Sequence, residues 1–258
     1  MKKYLDLGKG AGIFVPRPSK KEYKMEYYSR RPYLSFGPSM TPTVKKLLII
    51  SGSVFLLQAI VGQQMNLIFG LVPALVWQKY FLWQLGTYIF LHGGLFHLLF
   101  NLFALWMFGC ELERYWGSRV FLRYFFITGI GAAICTVLIT PNLFIPTIGM
   151  SGAIYGILLA YGWFFPNRII YIYLFFPIKA KYFVMIFGAI ELYASIAGTG
   201  GGIAHITHLG GMVFGIIYLN YHDIWRFLYQ YYMRWKLSRL KRRYKVIDGG
   251  KNSDKSFH

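Results

Sequence analysis

Six apolar runs, at roughly 44–62, 95–112, 119–140, 151–165, 181–198 and 203–221, constrain this chain more than any other feature. A helix that crosses a bilayer satisfies its own backbone hydrogen bonds and needs about 20 apolar residues to do so. The reading is therefore an all-α polytopic membrane protein with six transmembrane helices. Composition agrees: 56% of residues are hydrophobic and 20% aromatic, too apolar for a soluble domain of this length. The fourth run is short, because Pro166 follows Ser151 by fifteen residues. A short helix can start part-way into the bilayer if its end is buried in protein or lines a wet cavity. Ser151 is thus expected below the membrane surface.

The chain carries 28 Lys and Arg against 9 Asp and Glu, a net charge of +19. Such a charge can mark a nucleic-acid binder. Its distribution says otherwise. With six crossings, 27 of the 28 basic residues fall on one side, and the other side holds only Lys79. By the positive-inside rule that side is cytoplasmic and both termini are inside. The charge is explained by topology, with no nucleic acid, and the N-terminal end of the fourth helix lies toward the outer face.

Three regions follow. Residues 1–43 form a basic tail, broken by Pro16, Pro18, Pro32, Pro38 and Pro42, in which little fixed structure is expected. Residues 44–221 form the membrane domain, and 222–258 a second basic tail. Within that tail, 223–245 alternates aromatic and basic residues. It reads either as a helix leaving the membrane to lie on anionic lipids or as a stop-transfer charge cluster. The N-terminus has positive charge but no apolar core, so no secretory signal is expected. Cys110 and Cys135 sit in apolar runs and read as free buried thiols. The 63–94 connection is long, apolar and aromatic; short helices embedded at the outer interface are expected there, with Trp77, Tyr80, Trp83 and Tyr88 at headgroup level.

Polar side chains in a bilayer are costly, so those inside the spans are candidates for function. His97 and Asn101 share a helix face, as do His205 and His208, and Ser151 and Tyr155. In the topology above all six lie in the outer half of the membrane. Gly152 with Gly156, and Gly211 with Gly215, form small-xxx-small faces on the fourth and sixth helices. If those faces pack together, Ser151 and His208 come within reach. A serine hydroxyl needs a base to become a nucleophile, and neutral imidazole is the usual base near pH 7. His97, Asn101 and the Ser151 backbone N–H are then placed to stabilise an oxyanion. Each signal alone has a plainer meaning in helix capping, interhelical hydrogen bonding or packing. GMSG is also not the G-x-S-x-G elbow of hydrolases, since position 153 is Ala. Several separate helices bringing these groups to one depth is the stronger observation.

The stretches WQLGTYIFLHGGLFHLLFN (83–101), ELERYWGS (111–118), GMSGAIYG (149–156) and HLGGMVFG (208–215) occur in that order. With them the chain resembles the rhomboid intramembrane serine proteases in their bacterial six-helix form. The resemblance implies a rhomboid-like six-helix bundle with a membrane-embedded first loop, in the bacterial inner membrane. It implies Ser151 as nucleophile and His208 as general base, a dyad without an acid. His97 and Asn101 match the oxyanion pair, Gly149 the loop position before the serine, and Tyr155 the tyrosine packed on the catalytic histidine. Gly152, Gly211 and Gly215 match close-contact glycines. Glu113 and Arg114 match a polar motif that braces the embedded loop and a neighbouring helix end, and His92 a loop histidine with a structural role. The substrates implied are single-pass membrane proteins, cut in or near the transmembrane segment.

Two residues depart from that pattern. His205 is a second histidine one turn from His208; His208 is favoured as base because Gly210 and Gly211 follow it. Glu191, mid-way along the fifth run, reads as the only acid inside a span. Such a carboxylate is expected to be protonated or paired, and hydrogen bonding to a neighbour is preferred over tuning a gate. No metal or cofactor is expected, because the histidines have no carboxylate or thiol companion at ligand spacing. The alternatives to a protease are a catalytically inactive rhomboid-like protein that binds transmembrane helices, and a small transporter.

Overall fold

A computed structural model describes residues 37–172, 176–197 and 202–243. Most of the N-terminal tail, the 244–258 end of the C-terminal tail and most of the 199–202 connection therefore lie outside the described residues. The chain divides into two units, Met1–Ile216 and Ile217–His258.

The first span is α1, Pro42–Val61. Proline at its first position has no N–H to leave unsatisfied. The connection that follows folds into α2 (Gln64–Phe69), α3 (Pro73–Lys79), α4 (Gln84–Thr87) and a 3-10 turn, Tyr88–Phe90. The second span is α5 (Leu95–Ala104), a π-helical turn (Leu105–Gly109) and α6 (Cys110–Trp116) in continuous sequence. Gly117, at φ 79°, separates it from α7, Ser118–Ile139. The shorter α8, Ser151–Phe164, comes next, then β1 (Ile169–Ile172) and β2 (Phe176–Lys179). Last are α9, Ala180–Ala197, and α10, Gly202–Arg243.

All six apolar runs are helical, and five of these helices are long and apolar enough to cross a membrane. The exception, α8, has 14 residues. At 1.5 Å per residue it reaches about 21 Å, short of the roughly 30 Å hydrocarbon core. It is also the helix most enclosed by its neighbours, with nine of its 14 residues buried. Half of the α7 span is buried as well, against 22% of α1 and α9. Leu56, Ile60, Ile190 and Ile196 on the outer helices are exposed, as lipid-facing side chains are.

The structure adds to or corrects the sequence reading in four places. First, the helical bundle also carries an antiparallel hairpin of β1 and β2, with Ile170 opposite Ile178. Pro166 stops α8, and the β-branched run Ile169–Ile172 then favours extended backbone. Second, the span that was read as ending at 112 continues to Trp116, so Glu111 and Glu113 also belong to a membrane helix. Third, Tyr88 does not face the lipid headgroups. It is fully buried, and its hydroxyl donates to the Gly129 carbonyl at 2.8 Å.

Fourth, Glu113 and Arg114 were expected to brace both the embedded loop and a neighbouring helix end; among the described residues they hold helix ends, not the loop. The Glu113 carboxylate accepts from the N–H groups of Thr43 and Val44, both at 2.9 Å, and from the hydroxyls of Thr41 and Ser118 at 2.5 Å. Helix N-terminal N–H groups have no partner within their own helix, and a carboxylate there is favoured by charge as well. Arg114 donates to Ser39, just before α1. The pair therefore ties the start of α1 to the end of the second span.

Amide side chains hold the loop instead. Gln84, fully buried, accepts from Val72 N–H and donates to the Leu67 carbonyl, both at 2.9 Å. Gln58 of α1 accepts from His92 N–H at 2.9 Å and donates to Asn66 at 2.8 Å. Paired backbone bonds between Leu71 and Thr147, at 2.9 and 2.8 Å, join the loop to the segment before Ser151.

In the second unit, α10 is helical through Arg243. Tyr229, Tyr231, Tyr232 and Trp235 are exposed, and the Arg239 guanidinium lies 4.0 Å over the Trp235 ring.

Candidate active site

Ser151 is the first residue of α8, and the backbone just before it is set by Gly149. Gly149 has φ +122°, where any side chain is strained, and its N–H donates to the Tyr88 carbonyl at 3.0 Å. A Cβ at Gly149 would lie 2.8 Å from His97 Nε2 and 3.8 Å from Asn101 Nδ2. So α5 presents both expected oxyanion residues to the loop that carries the serine. Asn101 is buried, and its Nδ2 has no hydrogen-bond partner among the described residues. A buried amide donor without an acceptor is uncommon. His97 Nδ1 accepts from Gly93 N–H at 3.3 Å, which leaves Nε2 on the side of Gly149.

The close approach of α8 and α10 comes from Gly211, where a Cβ would sit 1.9 Å from the Gly152 carbonyl oxygen. No residue with a side chain fits there without moving a backbone. Gly215 lies next to Gly156, its Cβ position 3.6 Å from the Gly156 Cα. The expected glycine faces are not a simple mutual pair, however. Cβ atoms at Gly152 and Gly156 would meet Ala132 and Thr128 of α7, at 2.7 and 2.6 Å. Helix α8 is thus gripped from two directions.

This approach brings His208, and not His205, to the serine. His208 Nε2 is 2.8 Å from Ser151 Oγ. Tyr155, one turn below Ser151, stacks on the His208 ring with centroids 4.3 Å apart and planes 12° apart. His92 meets the edge of the His97 ring at 5.2 Å, and its Nδ1 is 3.2 Å from the Phe90 carbonyl. Burial, and the neighbouring His97, push its pKa down to about 4, so it is neutral near pH 7.

Sequence reasoning missed what surrounds the histidine on its other side. Glu191 of α9 points into the same cluster. Its Oε1 accepts from the Tyr155 hydroxyl and lies 3.0 Å from His208 Nδ1. Its Oε2 is 2.5 Å from His205 Nδ1. Glu191 does hydrogen-bond its neighbours, as preferred, but those neighbours are the candidate site. The usable signal in the sequence was the cost of an unpaired carboxylate in a span, with two histidines one turn apart in the next helix.

The same cluster overturns the reason for expecting no metal. Glu191, His205 and His208 offer ligand atoms within 4.8 Å of one another, so the carboxylate companion exists. The geometry is that of a hydrogen-bonded group. His205 Nδ1 and Glu191 Oε2, 2.5 Å apart, are closer than two ligands on one tetrahedral zinc; those sit roughly 3.3 Å apart, from metal–ligand bonds of about 2.0–2.1 Å.

Comparison with known proteins bears on what this geometry belongs to. Residues 79–222 match the Rhomboid domain family, more than half of the chain. The chain is 34% identical over 138 residues to Rhomboid protease GluP of Bacillus subtilis, covering 52% of this chain and 24% of that protein. It is 28% identical over 134 residues to Rhomboid protein 1, mitochondrial, of Saccharomyces cerevisiae, covering 50% of this chain and 38% of that protein. It is 26% identical over 191 residues to Rhomboid protease GlpG of Pectobacterium atrosepticum, covering 74% and 66%. The chain thus spans well under half the length of the first two. The match reaches from the connection after α1 into α10, and takes in every helix that contributes to the serine cluster: the chain is a multi-pass membrane protein of the rhomboid family.

Proposed function

We propose that this protein is an intramembrane serine endopeptidase that cuts single-pass membrane proteins in or near their transmembrane segments. The observation that carries the reading is the 2.8 Å contact between His208 Nε2 and Ser151 Oγ. It is supported by a buried Asn101 amide and a His97 ring beside Gly149. The groups have the roles that acyl transfer needs: nucleophile, base and oxyanion donors.

Ser151 Oγ attacks the scissile carbonyl carbon while its proton passes to His208 Nε2. His97, Asn101 and backbone N–H groups at the start of α8 stabilise the oxyanion. The C–N bond then breaks, and the departing amine takes the proton from His208. Water attacks the resulting ester and gives a proton to His208, which returns it to Ser151 as the C–O bond breaks. A substrate helix has to unwind first, since a helical amide is shielded by its own hydrogen bonds. Gly, Ala or Ser near the cut makes the local unwinding or close approach easier.

Residues 44–221 are proposed as the membrane domain, with cytoplasmic tails on either side and basic side chains near anionic lipids. The bacterial inner membrane, with Ser151 opening toward the outer face, fits the charge distribution. The transporter alternative expects charged groups deeper in the bundle; the one the sequence offers, Glu191, is hydrogen-bonded to Tyr155 and His205.

The test is labelling by a serine-directed fluorophosphonate together with cleavage of a model transmembrane substrate, using the full chain in detergent or vesicles. Labelling and cleavage by the native chain, both lost in Ser151→Ala, are expected. A folded native chain that neither labels nor cleaves would overturn the reading and leave the helix-binding alternative.

A further inference from the structure

We propose that Glu191 is a positioning residue that completes a Ser151–His208–Glu191 relay, and that His205 is the clamp that fixes its carboxylate. The inference rests on the protease reading above. A serine–histidine dyad needs no acid, and the sequence resemblance implies none. The cluster around His208 nevertheless contains one.

The protonation pattern follows from the chemistry. To take the Ser151 proton, His208 Nε2 must be the bare nitrogen, so the ring proton sits on Nδ1. That proton needs an acceptor, and the atom in reach is Glu191 Oε1 at 3.0 Å. The contact lies off the N–H direction, so His208 Nδ1 counts as a buried nitrogen without a well-formed hydrogen bond. Catalytic hydrogen bonds in ligand-free enzymes are often poorly aligned and tighten when substrate binds. Glu191 comes from α9 while the histidines come from α10, so a small adjustment of one helix against the other aligns the contact.

Burying a carboxylate in a span is costly unless several donors surround it. Glu191, with its side chain 8% exposed, has the Tyr155 hydroxyl on Oε1 and the His205 ring on Oε2. Both oxygens are therefore fixed in orientation, and Oε1 is held against His208. Tyr155 also stacks on the His208 ring, so one side chain positions base and carboxylate together. When His208 takes the serine proton it becomes a cation, and the fixed carboxylate on its far side stabilises that cation. The relay is therefore electrostatic, and no proton needs to reach Glu191.

The geometry also assigns the two histidines different work. His205 meets the His208 ring nearly edge-on, with planes at 85° and centroids 6.4 Å apart. Its Nδ1 is committed to the carboxylate, while Nε2 of His208 faces the serine. A second histidine one turn from the base is thus a holder of the acid.

The experiment compares Glu191→Gln, Glu191→Asp and His205→Ala with the native chain, all full length in detergent. Cleavage of a transmembrane substrate gives kcat and KM, and fluorophosphonate labelling gives the reactivity of Ser151. Glu191→Gln keeps the shape and removes the charge, and is expected to lower kcat and labelling rate about 10²-fold with KM within about twofold. Glu191→Asp keeps the charge and shortens the arm, and is expected to recover at least tenfold of that loss. A merely structural glutamate predicts the reverse order, with Gln the milder change. Folded Glu191→Gln within threefold of native kcat, or Asp no better than Gln, overturns the proposal. If neither Glu191 variant folds, His205→Ala decides: a tenfold fall in kcat at unchanged KM supports the relay, and unchanged kcat overturns it. Failure of this inference is separable from failure of the protease reading, since the latter appears as a native chain that neither labels nor cleaves.

Discussion

Two buried glutamates in this bundle collect opposite kinds of partners. Glu113, 3% exposed, collects two backbone N–H groups and two hydroxyls at the junction of α1, α6 and α7. None of those partners changes charge near pH 7. Glu191, 6% exposed, collects a tyrosine and two histidines. All three can transfer protons, and one of them touches a serine. Burial and satisfaction are alike at the two sites, so neither distinguishes a brace from a centre of chemistry. The partners do: backbone and hydroxyl donors mark a structural tie, and imidazoles mark a site where charge is meant to move.

The comparison breaks first at its chemical end. Ser151→Ala and His208→Ala are expected to lower kcat by at least about 10³-fold, as loss of a nucleophile or base does. Thermal unfolding in detergent is expected to stay within a few degrees of native, since the serine–histidine contact is one hydrogen bond. The structural end predicts the converse. Glu113→Ala orphans the Thr43 and Val44 N–H groups and the Thr41 hydroxyl, and is expected to cost about 3 kcal/mol, read as a fall in melting temperature. Cleavage per folded molecule should stay near native. If Glu113→Ala removes activity without lowering stability, the two carboxylates are not distinguished by their partners.

What was legible from sequence follows the same division. The apolar runs marked all five helices that, among the described residues, are long and apolar enough to cross a membrane, because a bilayer imposes length and polarity on any crossing helix. The contact between Ser151 and His208 was legible because a polar group in a span needs a reason and each had glycines beside it. The Glu191 contact was not, because it joins α9 to α8 and α10 across 36 and 14 residues of chain. Periodicity orders side chains within one helix and does not set the rotation of a neighbouring one. Of the two elements that Glu113 was expected to brace, the helix end agrees with the contacts and the loop does not, for a related reason. The position of Glu113 one turn before Gly117 was visible, but its reach back to residues 41–44 depends on how the first span packs. Tyr88 was placed at the interface because its aromatic neighbours belong there. It is instead buried among helices, with its hydroxyl satisfied by the Gly129 carbonyl on another helix.

The contrast sharpens at the glycines. A Cβ on Gly211 would sit 1.9 Å from the Gly152 carbonyl oxygen, whereas one on Gly52 of α1 meets nothing within 4 Å. Gly211→Ala therefore pushes α10 from α8 and is expected to cost about 2 kcal/mol. Because the displacement separates His208 from Ser151, fluorophosphonate labelling should fall with it. Gly52→Ala is expected to be neutral or to stabilise by up to about 1 kcal/mol through helix propensity. Equal melting temperatures and equal labelling for the two variants would show that the close crossing does not position the dyad.

The smallest effect tests a third buried titratable group, one with neither kind of partner set. His92 is 2% exposed and has no carboxylate against it among the described residues; its ring faces the Phe90 carbonyl and His97. Burial, and then His97, lower its pKa to about 4 from an ordinary 6.5. The folded protein therefore refuses a proton that the unfolded chain accepts, and stability falls as pH drops from 6.5 toward 4. Over the first unit of that window, from pH 6.5 to 5.5, the loss attributable to His92 is about 1 kcal/mol. Comparing native and His92→Gln melting temperatures across that unit isolates it: the native chain should lose stability relative to the variant as pH falls. A pH response identical in both would mean that the loop opens enough to hydrate the ring, and that the tie between the loop and Gln58 is looser than its 2.9 Å hydrogen bond implies.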